Sequence, residues 1–193
     1  MRLLNNISRI FKNIKKLIFD SEEYVIFELN KVQSKNYQLD PEVKKFESIE
    51  DIPSSIRRLL NLFFLINPLY HRIKLKQAYL LCLIIDSKIV SYGFIQSWKP
   101  FKRKFGWLHK DGIMLGPYWT DENMRGKGYY GRLLNHSIAL SANKMPLIIY
   151  TNPKNLSSKR GIEKAGFDFC GVYRINLLFR IFQSYKQISA EGV

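Results

Sequence analysis

The sequence predicts an α/β domain in which helices flank a mixed β-sheet, and three observations indicate this fold. A glycine-rich turn at 124–134 stands between a strand-like run and a helical run. A wholly apolar run follows at 147–150, and a further helix and strand extend to residue 173. The order strand, turn, helix, buried strand, helix, strand is typical of a mixed α/β sheet. We therefore expect the glycine turn to lie beside the centre of the sheet.

Composition limits the classes of protein to consider. The 193 residues are 46% hydrophobic, which is enough for one substantial core and a single domain. The net charge of +15 indicates an anionic partner, namely a phosphorylated cofactor, a membrane surface or nucleic acid. Cys82 and Cys170 lie in apolar runs without metal-ligand spacing, so we expect reduced core thiols, no metal and a cytoplasmic protein. No apolar run approaches the ~20 residues of a membrane-spanning helix.

The first 20 residues form a separate unit of the sequence, ahead of one domain at 21–193. Within 2–19, apolar residues recur every three or four positions with Arg and Lys between them, which predicts a basic amphipathic helix. Such a helix docks on the protein itself, pairs with a partner or lies on an anionic membrane surface. The absence of any acidic residue before Asp20 favours the membrane, at its inner face. The charges interrupt the run too often for a signal peptide.

The first half of the domain contains three predicted strands and one helix. Glu23–Leu29 is rich in β-branched and aromatic residues and predicts a strand. A helix is predicted to begin at Ser54 and to be closed by Pro68. Residues 79–96 read as two antiparallel strands joined by a short turn, and 99–104 as a basic loop.

The second half alternates strands and helices around the glycine turn. The predicted elements are a strand at Gly112–Trp119, a helix after the turn, a buried strand at Leu147–Tyr150, a helix at Asn155–Lys164 and a strand at Phe167–Tyr173. The tail at 174–186 fits both a strand and a helix. Both interpretations stay open on the sequence alone.

The glycine turn has the properties of a phosphate-binding site. Glycine lets the backbone approach a ligand closely, and the first amides of a helix have no acceptor within it. These amides and the helix dipole favour an anion. Arg125, Lys127 and Arg132 are expected to add full positive charges.

Two motifs resemble those of the GNAT acetyltransferase superfamily. Arg125, Gly126, Lys127 and Gly128 resemble its pyrophosphate loop. A second signature of the family resembles a set of residues further along the chain: Asn155, Ser158, Glu163, Lys164, Gly166 and Phe167. The resemblance covers residues 112–173. The predicted hairpin at 79–96 resembles the family only in its pattern of predicted strands. It implies a mixed central sheet of six to seven strands.

The resemblance also implies a site for acetyl-CoA as acyl donor. The loop amides would hold the pyrophosphate, and strands 112–120 and 147–151 would splay apart to admit the pantetheine arm. Asn155 would hydrogen-bond that arm, although it also fits a simple helix cap. The expected cofactor-binding residues are Tyr118, Trp119, Thr120, Arg125, Gly126, Lys127, Gly128, Tyr129, Tyr130, Gly131, Asn155 and Ser158.

The chain departs from the family pattern at three positions. Tyr130 occupies the position at which the family's loop pattern has its last small residue. Its ring must therefore find room in the structure or point outward. Ile162 stands where many members carry a tyrosine thought to protonate the departing thiolate. Met114 falls near the position in the fourth strand at which the family often has a carboxylate.

Direct transfer needs a base, because an alkylamine with a pKa near ~10 is protonated at neutral pH. His109 and Asp111, at the beginning of the strand, are the candidate catalytic residues, and they also fit turn positions. His71 and His136 suit the role less, and His136 is expected to face solvent.

The predicted function is transfer of an acetyl group to a primary amine of a small molecule, an amino sugar or nucleotide-linked amino sugar. Acetyl transfer is what the GNAT resemblance implies, and the choice of acceptor rests on a loose similarity of 118–130 to acetyltransferases of bacterial surface-polysaccharide synthesis. The alternatives are a protein or peptide acetyltransferase and a non-catalytic module that binds CoA, membrane or nucleic acid, with nucleic acid least favoured. Aromatic and basic residues either line the acceptor site or belong to the core: Tyr70, Arg72, Trp98, Trp107, Tyr118 and Trp119.

Overall fold

The fold was analysed in a computed structural model, which describes residues 19–31, 37–61, 67–144, 146–178 and 182–189. The predicted amphipathic helix at 2–19 lies outside these residues except for Phe19, which begins the first strand. The role of that segment stays a prediction.

Eight strands form one mixed sheet in the order β2-β3-β4-β5-β6-β1-β7-β8. Their bounds are β1 Phe19–Leu29, β2 Val43–Phe46, β3 Ala78–Ile85, β4 Lys88–Ser97, β5 Ile113–Thr120, β6 Leu147–Thr151, β7 Asp168–Leu178 and β8 Phe182–Ser189. Among these described strands, only β5 and β6 pair in parallel, and the other neighbouring pairs are antiparallel.

The mixed α/β class is confirmed, but the expected six to seven strands were too few. β2 has only four residues, and they lie in a polar stretch without a clear strand signal. The tail, which the sequence left open, forms a hairpin in which Ile175 of β7 pairs with Tyr185 of β8. The strand interpretation was therefore the right one for this tail.

Five helices lie on the two faces of the sheet in the described part of the chain. They are α1 Ser54–Leu59, α2 Pro68–Lys74, α3 Lys102–Phe105, α4 Tyr129–Ser141 and α5 Leu156–Lys164. Two regions of the sequence prediction are corrected by these helices, and both corrections have a local cause.

The predicted helix begins at Ser54 as expected, but it is shorter than predicted, and Pro68 begins a second helix instead of closing the first. α1 ends at Leu59, and α2 begins at Pro68 with Asn67 as its N-cap. The Asn67 side chain accepts a hydrogen bond from the Leu69 amide at 2.9 Å. Proline fits the first position of a helix, where its missing N–H is not needed.

The predicted basic loop at 99–104 was also wrong. Lys99–Phe101 forms a 3₁₀ turn and α3 follows it directly. Phe101 and Phe105 are buried against the sheet, and their burial stabilises the helical turn while the lysines remain outside.

Strand alternation divides the core between the two faces of the sheet. Val25, Phe27 and Leu29 of β1 point to the face covered by α4 and α5, which we name the α4 face. Ile26 points to the opposite face, beside Trp98 and the phenylalanines of α3, which we name the α3 face. α1 and α2 cover the β3–β4 part of that second face.

The sheet opens between its two parallel strands. β5 pairs with β6 only from Ile113 to Leu115, although β5 continues to Thr120 and β6 to Thr151. A bulge begins at the same place, since Gly93 of β4 faces Tyr118 whereas Ile95 faces Leu115. The Gln96 side-chain amide donates to the Gly116 carbonyl inside this bulge. The predicted splay of the two strands is therefore confirmed.

Both cysteines are free thiols, and β6 is buried as expected. Burial raises the pKa of Cys82 to about 12. Burial, together with the neighbouring Glu28, raises the pKa of Cys170 to about 12 as well. Both thiols therefore stay protonated and unreactive at neutral pH.

Candidate active site

The glycine turn has the backbone shape that the sequence indicated. Gly126 and Gly128 have φ angles of 80° and 82°, in the left-handed region that favours glycine. A Cβ atom at either position would meet nothing within 4 Å. Backbone conformation, not lack of space, therefore requires glycine here, and the space beside the turn is open to a ligand.

The N-terminus of α4 is arranged to bind an anion. Gly128 is the N-cap, and within the residues that the structure describes no side chain caps the helix. The first backbone bond runs from the Arg132 amide to the Gly128 carbonyl, so the amides of Tyr129, Tyr130 and Gly131 have no acceptor inside the helix. No acidic residue stands in the first turn. The helix dipole therefore acts without compensation.

A cavity of about 1170 Å³ extends from this helix end, and we name it the cofactor groove. Of the residues expected to bind the cofactor, all but Lys127 line it: Tyr118, Trp119, Thr120, Arg125, Gly126, Gly128, Tyr129, Tyr130, Gly131, Asn155 and Ser158. The Lys127 ammonium instead lies 3.4 Å from the Met124 sulfur. Tyr37 and Lys164, which the sequence did not suggest, also line the groove.

Arg132, which was expected to add its charge to the phosphate site, lines the groove and forms ion pairs with two carboxylates. Its Nε lies 2.8 Å from Asp40 Oδ2, and its Nη2 contacts Glu42. Hydrogen bonds to Asp40 and Glu42 hold the pKa of Arg132 above its usual value. Arg132 therefore fastens the segment ahead of β2 to α4, and its charge is compensated.

His136 was expected to face solvent, but it is only 5% exposed. Its Nδ1 accepts a hydrogen bond from the Asp40 amide at 2.8 Å. Nothing in the sequence indicated that residues 37–42 pack over this turn of α4. Burial lowers the pKa of His136, although the nearby Asp40 charge opposes the shift.

This hydrogen bond predicts a loss of stability in mild acid. The folded-state pKa of His136 is lowered, so between that value and the unfolded pKa of ~6.5 the unfolded chain binds more protons. Its contribution to the free energy of unfolding is thus complete above pH ~6.5 and is lost as the pH falls through the folded pKa. Urea unfolding between pH 5 and 8 measures this. His136→Asn keeps an acceptor without titrating and should flatten the profile; an unchanged slope in that variant would contradict the assignment.

Tyr130 points inward, and the chain makes room for its ring. The ring packs edge-on against Tyr118, with centroids 5.5 Å apart. A Cβ atom at Gly161 of α5 would come within 2.6 Å of Tyr130 Cε1. The glycine at 161 thus accommodates the bulky residue at 130. Burial raises the pKa of Tyr130, so its hydroxyl is protonated at neutral pH.

A second cavity of about 500 Å³ occupies the gap between β5 and β6, and we name it the through-sheet cleft. Its walls include Leu115 and Ile149 from the α4 face and Met114 and Tyr150 from the α3 face. Four residues line both this cleft and the cofactor groove: Tyr118, Tyr130, Asn155 and Ser158. The two cavities therefore adjoin at Tyr130.

The cleft contains polar residues that the sequence did not reveal. Glu22, Glu23, Tyr24, Gln96 and Tyr150 all line it. The Tyr24 hydroxyl donates to Glu22, whose carboxylate lies 2.8 Å from the Lys104 ammonium. The strand at 23–29 was predicted, but its neighbours in the sheet were not, so nothing indicated that its first residues would reach the site.

The candidate catalytic residues His109 and Asp111 are not brought to either cavity. They precede Ile113, at the paired end of β5, whereas the strands separate after Leu115. His109 Nε2 lies 2.8 Å from Glu28 Oε2, and its carbonyl accepts from Trp98 Nε1. This placement suits the structural role that the sequence left open for them.

Met114 and Ile162, where the family pattern has polar groups, both line the cleft and are each 1% exposed. Their side chains form an apolar part of the cleft wall, so neither position provides a general acid or a general base. Any proton transfer must therefore use other groups.

Asn155 caps α5, as one interpretation of the sequence held. Its Oδ1 accepts from the Ser158 amide at 3.1 Å and from the Ser157 hydroxyl at 3.0 Å. The cap does not use Nδ2, which is the group that Asn155 would offer to a pantetheine chain.

Most of the aromatic residues considered for the acceptor site belong to the core. Trp98 is buried on the α3 face, and Tyr70 packs with the α1–α2 cluster. Trp107 stacks on Tyr185 with centroids 4.3 Å apart. Of those aromatic residues, Tyr118 lines the cleft and Trp119 lines the groove.

Two further properties concern only the described part of the chain. It contains no group of three or more His, Cys, Asp or Glu side chains able to hold a metal ion. None of its helices is long and apolar enough to cross a membrane.

A mixed sheet that splits between two parallel strands, beside a helix with a glycine N-cap, defines an α/β protein with a groove at that end of the helix. Solved structures identify the fold more closely. A GNAT-family acetyltransferase of Novosphingobium aromaticivorans is similar with a TM-score of 0.56 and 11% identity, over 88% of this chain and 66% of its own. A GNAT-family acetyltransferase of Colwellia psychrerythraea gives 0.52 and 16%, over 82% and 55%. The fold is therefore that of the GNAT acetyltransferases.

The similarity has clear limits. A functionally unknown conserved protein of Staphylococcus epidermidis gives a TM-score of 0.51 and 14% identity, over 92% of this chain and 66% of its own. The chain thus spans between 55% and 66% of the length of these three structures. No family model and no curated protein matches its sequence. At such identities the comparison establishes the fold and leaves the activity to be argued from the site.

Proposed function

We propose that the protein transfers an acetyl group from acetyl-CoA to a primary amine of a small molecule. The observation that carries this proposal is the contact between the two cavities at Tyr130. An elongated cofactor can keep its phosphates at the N-terminus of α4 and extend its thioester into the through-sheet cleft. The acceptor then reaches the thioester from the opposite end of the cleft.

The charge distribution supports phosphate binding in the groove. The three residues of the α4 N-terminus whose amides have no acceptor inside the helix line the groove, and so does Arg125. The ion pair of Arg125 with Glu122 spans 3.4 Å and both side chains are exposed, so the pair is weak. Each hydrogen bond to a charged oxygen contributes about 1.5–3 kcal/mol, so these donors suffice to hold a pyrophosphate.

The reaction needs a proton acceptor and a proton donor. The amine nitrogen attacks the thioester carbonyl carbon, the C–S bond breaks, and the proton lost by nitrogen balances the one gained by sulfur. Glu22 and Glu23 are carboxylates that line the cleft and are the candidate proton acceptors there, and each forms an ion pair, with Lys104 and with Arg174 respectively. Burial raises the pKa of Tyr130 and of Tyr150, so both phenols remain protonated and able to donate.

The acceptor that we favour is an amino sugar or a nucleotide-linked amino sugar. The support is the pair of aromatic rings at the α3 side of the cleft, where Tyr24 and Tyr150 pack edge to face with centroids 4.9 Å apart. Exposed edges of such rings provide apolar surface with a polar tip, which suits a sugar.

One measurement tests the proposal. Purified protein with acetyl-CoA should release free thiol in the presence of an amino sugar, with lesser rates for amino acids and peptides. Omission of the amine provides the control for simple hydrolysis. Failure to bind CoA at all would refute the proposal.

A second candidate function has a specific observation in its favour. Met114 and Ile162 make the cleft apolar where the family pattern has polar groups, as a non-catalytic CoA-binding module would allow. Saturable CoA binding without thiol release on any amine of the panel would establish this alternative.

A further inference from the structure

Arg72 of α2 does not line the through-sheet cleft itself, but it contacts a residue that does, Gln96. Its Nη1 donates to Gln96 Oε1 at 2.6 Å, and its Cζ lies 4.6 Å from the centre of the Phe101 ring. The side chain is half-buried, and burial lowers the pKa of Arg72, although an arginine remains charged at any ordinary pH. These contacts fix the position of the cation without neutralising it.

No carboxylate compensates this charge in the part of the chain that the structure describes. The ion pairs found within 4.0 Å there involve other cations, such as Lys104 with Glu22 and Arg174 with Glu23. Outside the described side chains, the acidic residues are Asp20 and Glu191. A cation partly withdrawn from water is costly unless an anion pairs with it. An anion brought by a ligand would remove this cost.

The surroundings of Arg72 connect it to the cleft. Gln96, its hydrogen-bond partner, lines the cleft. Tyr150 also lines the cleft, and its hydroxyl interacts electrostatically with Arg72. Lys104 also acts on Tyr150, but Lys104 is paired with Glu22. Arg72 is thus the cation of this end of the cleft whose charge remains to be matched.

We propose that Arg72 binds an anionic group of the acceptor, a carboxylate or a phosphate, while the acceptor amine lies in the cleft. The inference rests on the proposed acetyl transfer. A guanidinium has five N–H donors in a planar fork, and the bond to Gln96 occupies one of them. The others can form the paired hydrogen bonds that carboxylates and phosphates favour. The acceptor class is therefore a small amine that also carries a negative charge.

Paired acceptors with and without an anionic group test this inference, with rates compared per fraction of unprotonated amine. Glucosamine 6-phosphate is compared with glucosamine, and phenylalanine with phenylalaninamide, so that the two pairs separate phosphate from carboxylate. The native protein should show a higher kcat/KM for the anionic member of at least one pair, by about tenfold or more for a charged hydrogen-bonded contact.

Variants then assign the preference to Arg72. Arg72→Met should abolish the preference while leaving KM for acetyl-CoA close to native. Arg72→Lys retains the charge but not the fork, and should keep part of the preference. Arg58→Met removes an exposed arginine of α1 and provides the matched control. If Arg72→Met unfolds, because its partner Gln96 also holds the Gly116 carbonyl, the Arg72→Lys variant decides.

The outcomes separate the inference from the proposed function. Equal rates on charged and neutral acceptors, or a preference that persists in Arg72→Met, overturn the inference and leave acetyl transfer intact. The inference is likewise overturned if Arg72→Lys and Arg58→Met reduce the preference equally. Absence of thiol release on every amine overturns both.

Discussion

Gly131→Glu is expected to make the protein more stable and to weaken its binding of CoA roughly 30-fold. Gly131 is the third residue of α4, where a Cβ atom would meet nothing within 4 Å. Replacing a helical glycine gains about 0.5–1 kcal/mol, and a carboxylate in the first turn adds about 0.3–1 kcal/mol through the helix dipole. The same carboxylate lines the groove and repels a bound pyrophosphate by about 2 kcal/mol.

The opposite signs of the two effects make this experiment selective. Thermal unfolding measures stability, and titration calorimetry with CoA measures affinity. Gly131→Gln is the matched control, because it has nearly the same size and helix propensity without the charge. The difference in affinity between the two variants should shrink in high salt, which screens exposed charges. Equal affinities in low salt would show that the N-terminus of α4 is not the phosphate site.

Gly161→Ala is expected to destabilise the protein by about 1–2 kcal/mol, although the residue lies in a helix where alanine normally stabilises by about 1 kcal/mol. The reason is the Tyr130 ring, whose Cε1 and Cδ1 atoms would lie 2.6 and 2.8 Å from the new methyl group. The ring is held by Tyr118 behind it, so it cannot move away freely.

A double-mutant cycle checks this explanation through a change of sign. In a Tyr130→Ala background, Gly161→Ala should stabilise, since only the helix-propensity gain remains. The coupling between the two sites is then about 2–3 kcal/mol, in the range measured for residues in contact. Urea unfolding of the four proteins provides the values. The same destabilisation in both backgrounds would mean that Gly161 is required for a reason other than the ring.

The cofactor side of the site could be predicted from sequence because its parts are close together in the chain. Gly126, Gly128 and the first turn of α4 form one local motif, and Asn155 caps the next helix, which follows after a single strand. Local backbone requirements, such as a positive φ, restrict the residue type directly. The structure accordingly places these residues along one groove.

The acceptor side could not be predicted, because strand order brings it together. β1 lies between β6 and β7, although more than 100 residues separate it from either in sequence. Glu22 and Tyr24 therefore reach the cleft only through pairing that their own pattern does not specify. His109 and Asp111 were chosen because they precede β5 in the sequence. They lie at the end of β5 that is paired with β6, whereas the cleft opens at the other end of these two strands.

Two side chains of α4 make contacts that the sequence did not indicate, and both contacts have the same origin. Asp40 and Glu42 pair with Arg132 across about 90 residues of sequence, and the pairing compensates a charge that the local pattern left unpaired. His136 is buried by the same segment, whose backbone amide at Asp40 donates to its ring. Neither contact could be inferred from the residues near α4 in the chain.

Local sequence was enough to specify the α/β class, the glycine-capped N-terminus of α4 and most residues of the groove beside it, since each depends on hydrogen-bonding and backbone preferences within a few neighbouring residues. Long-range packing was needed to establish the cleft between β5 and β6, the inward position of Tyr130 against Gly161, and the placing of Arg72 beside Gln96. These features depend on which distant segments pack together, and packing is specified by the whole chain at once.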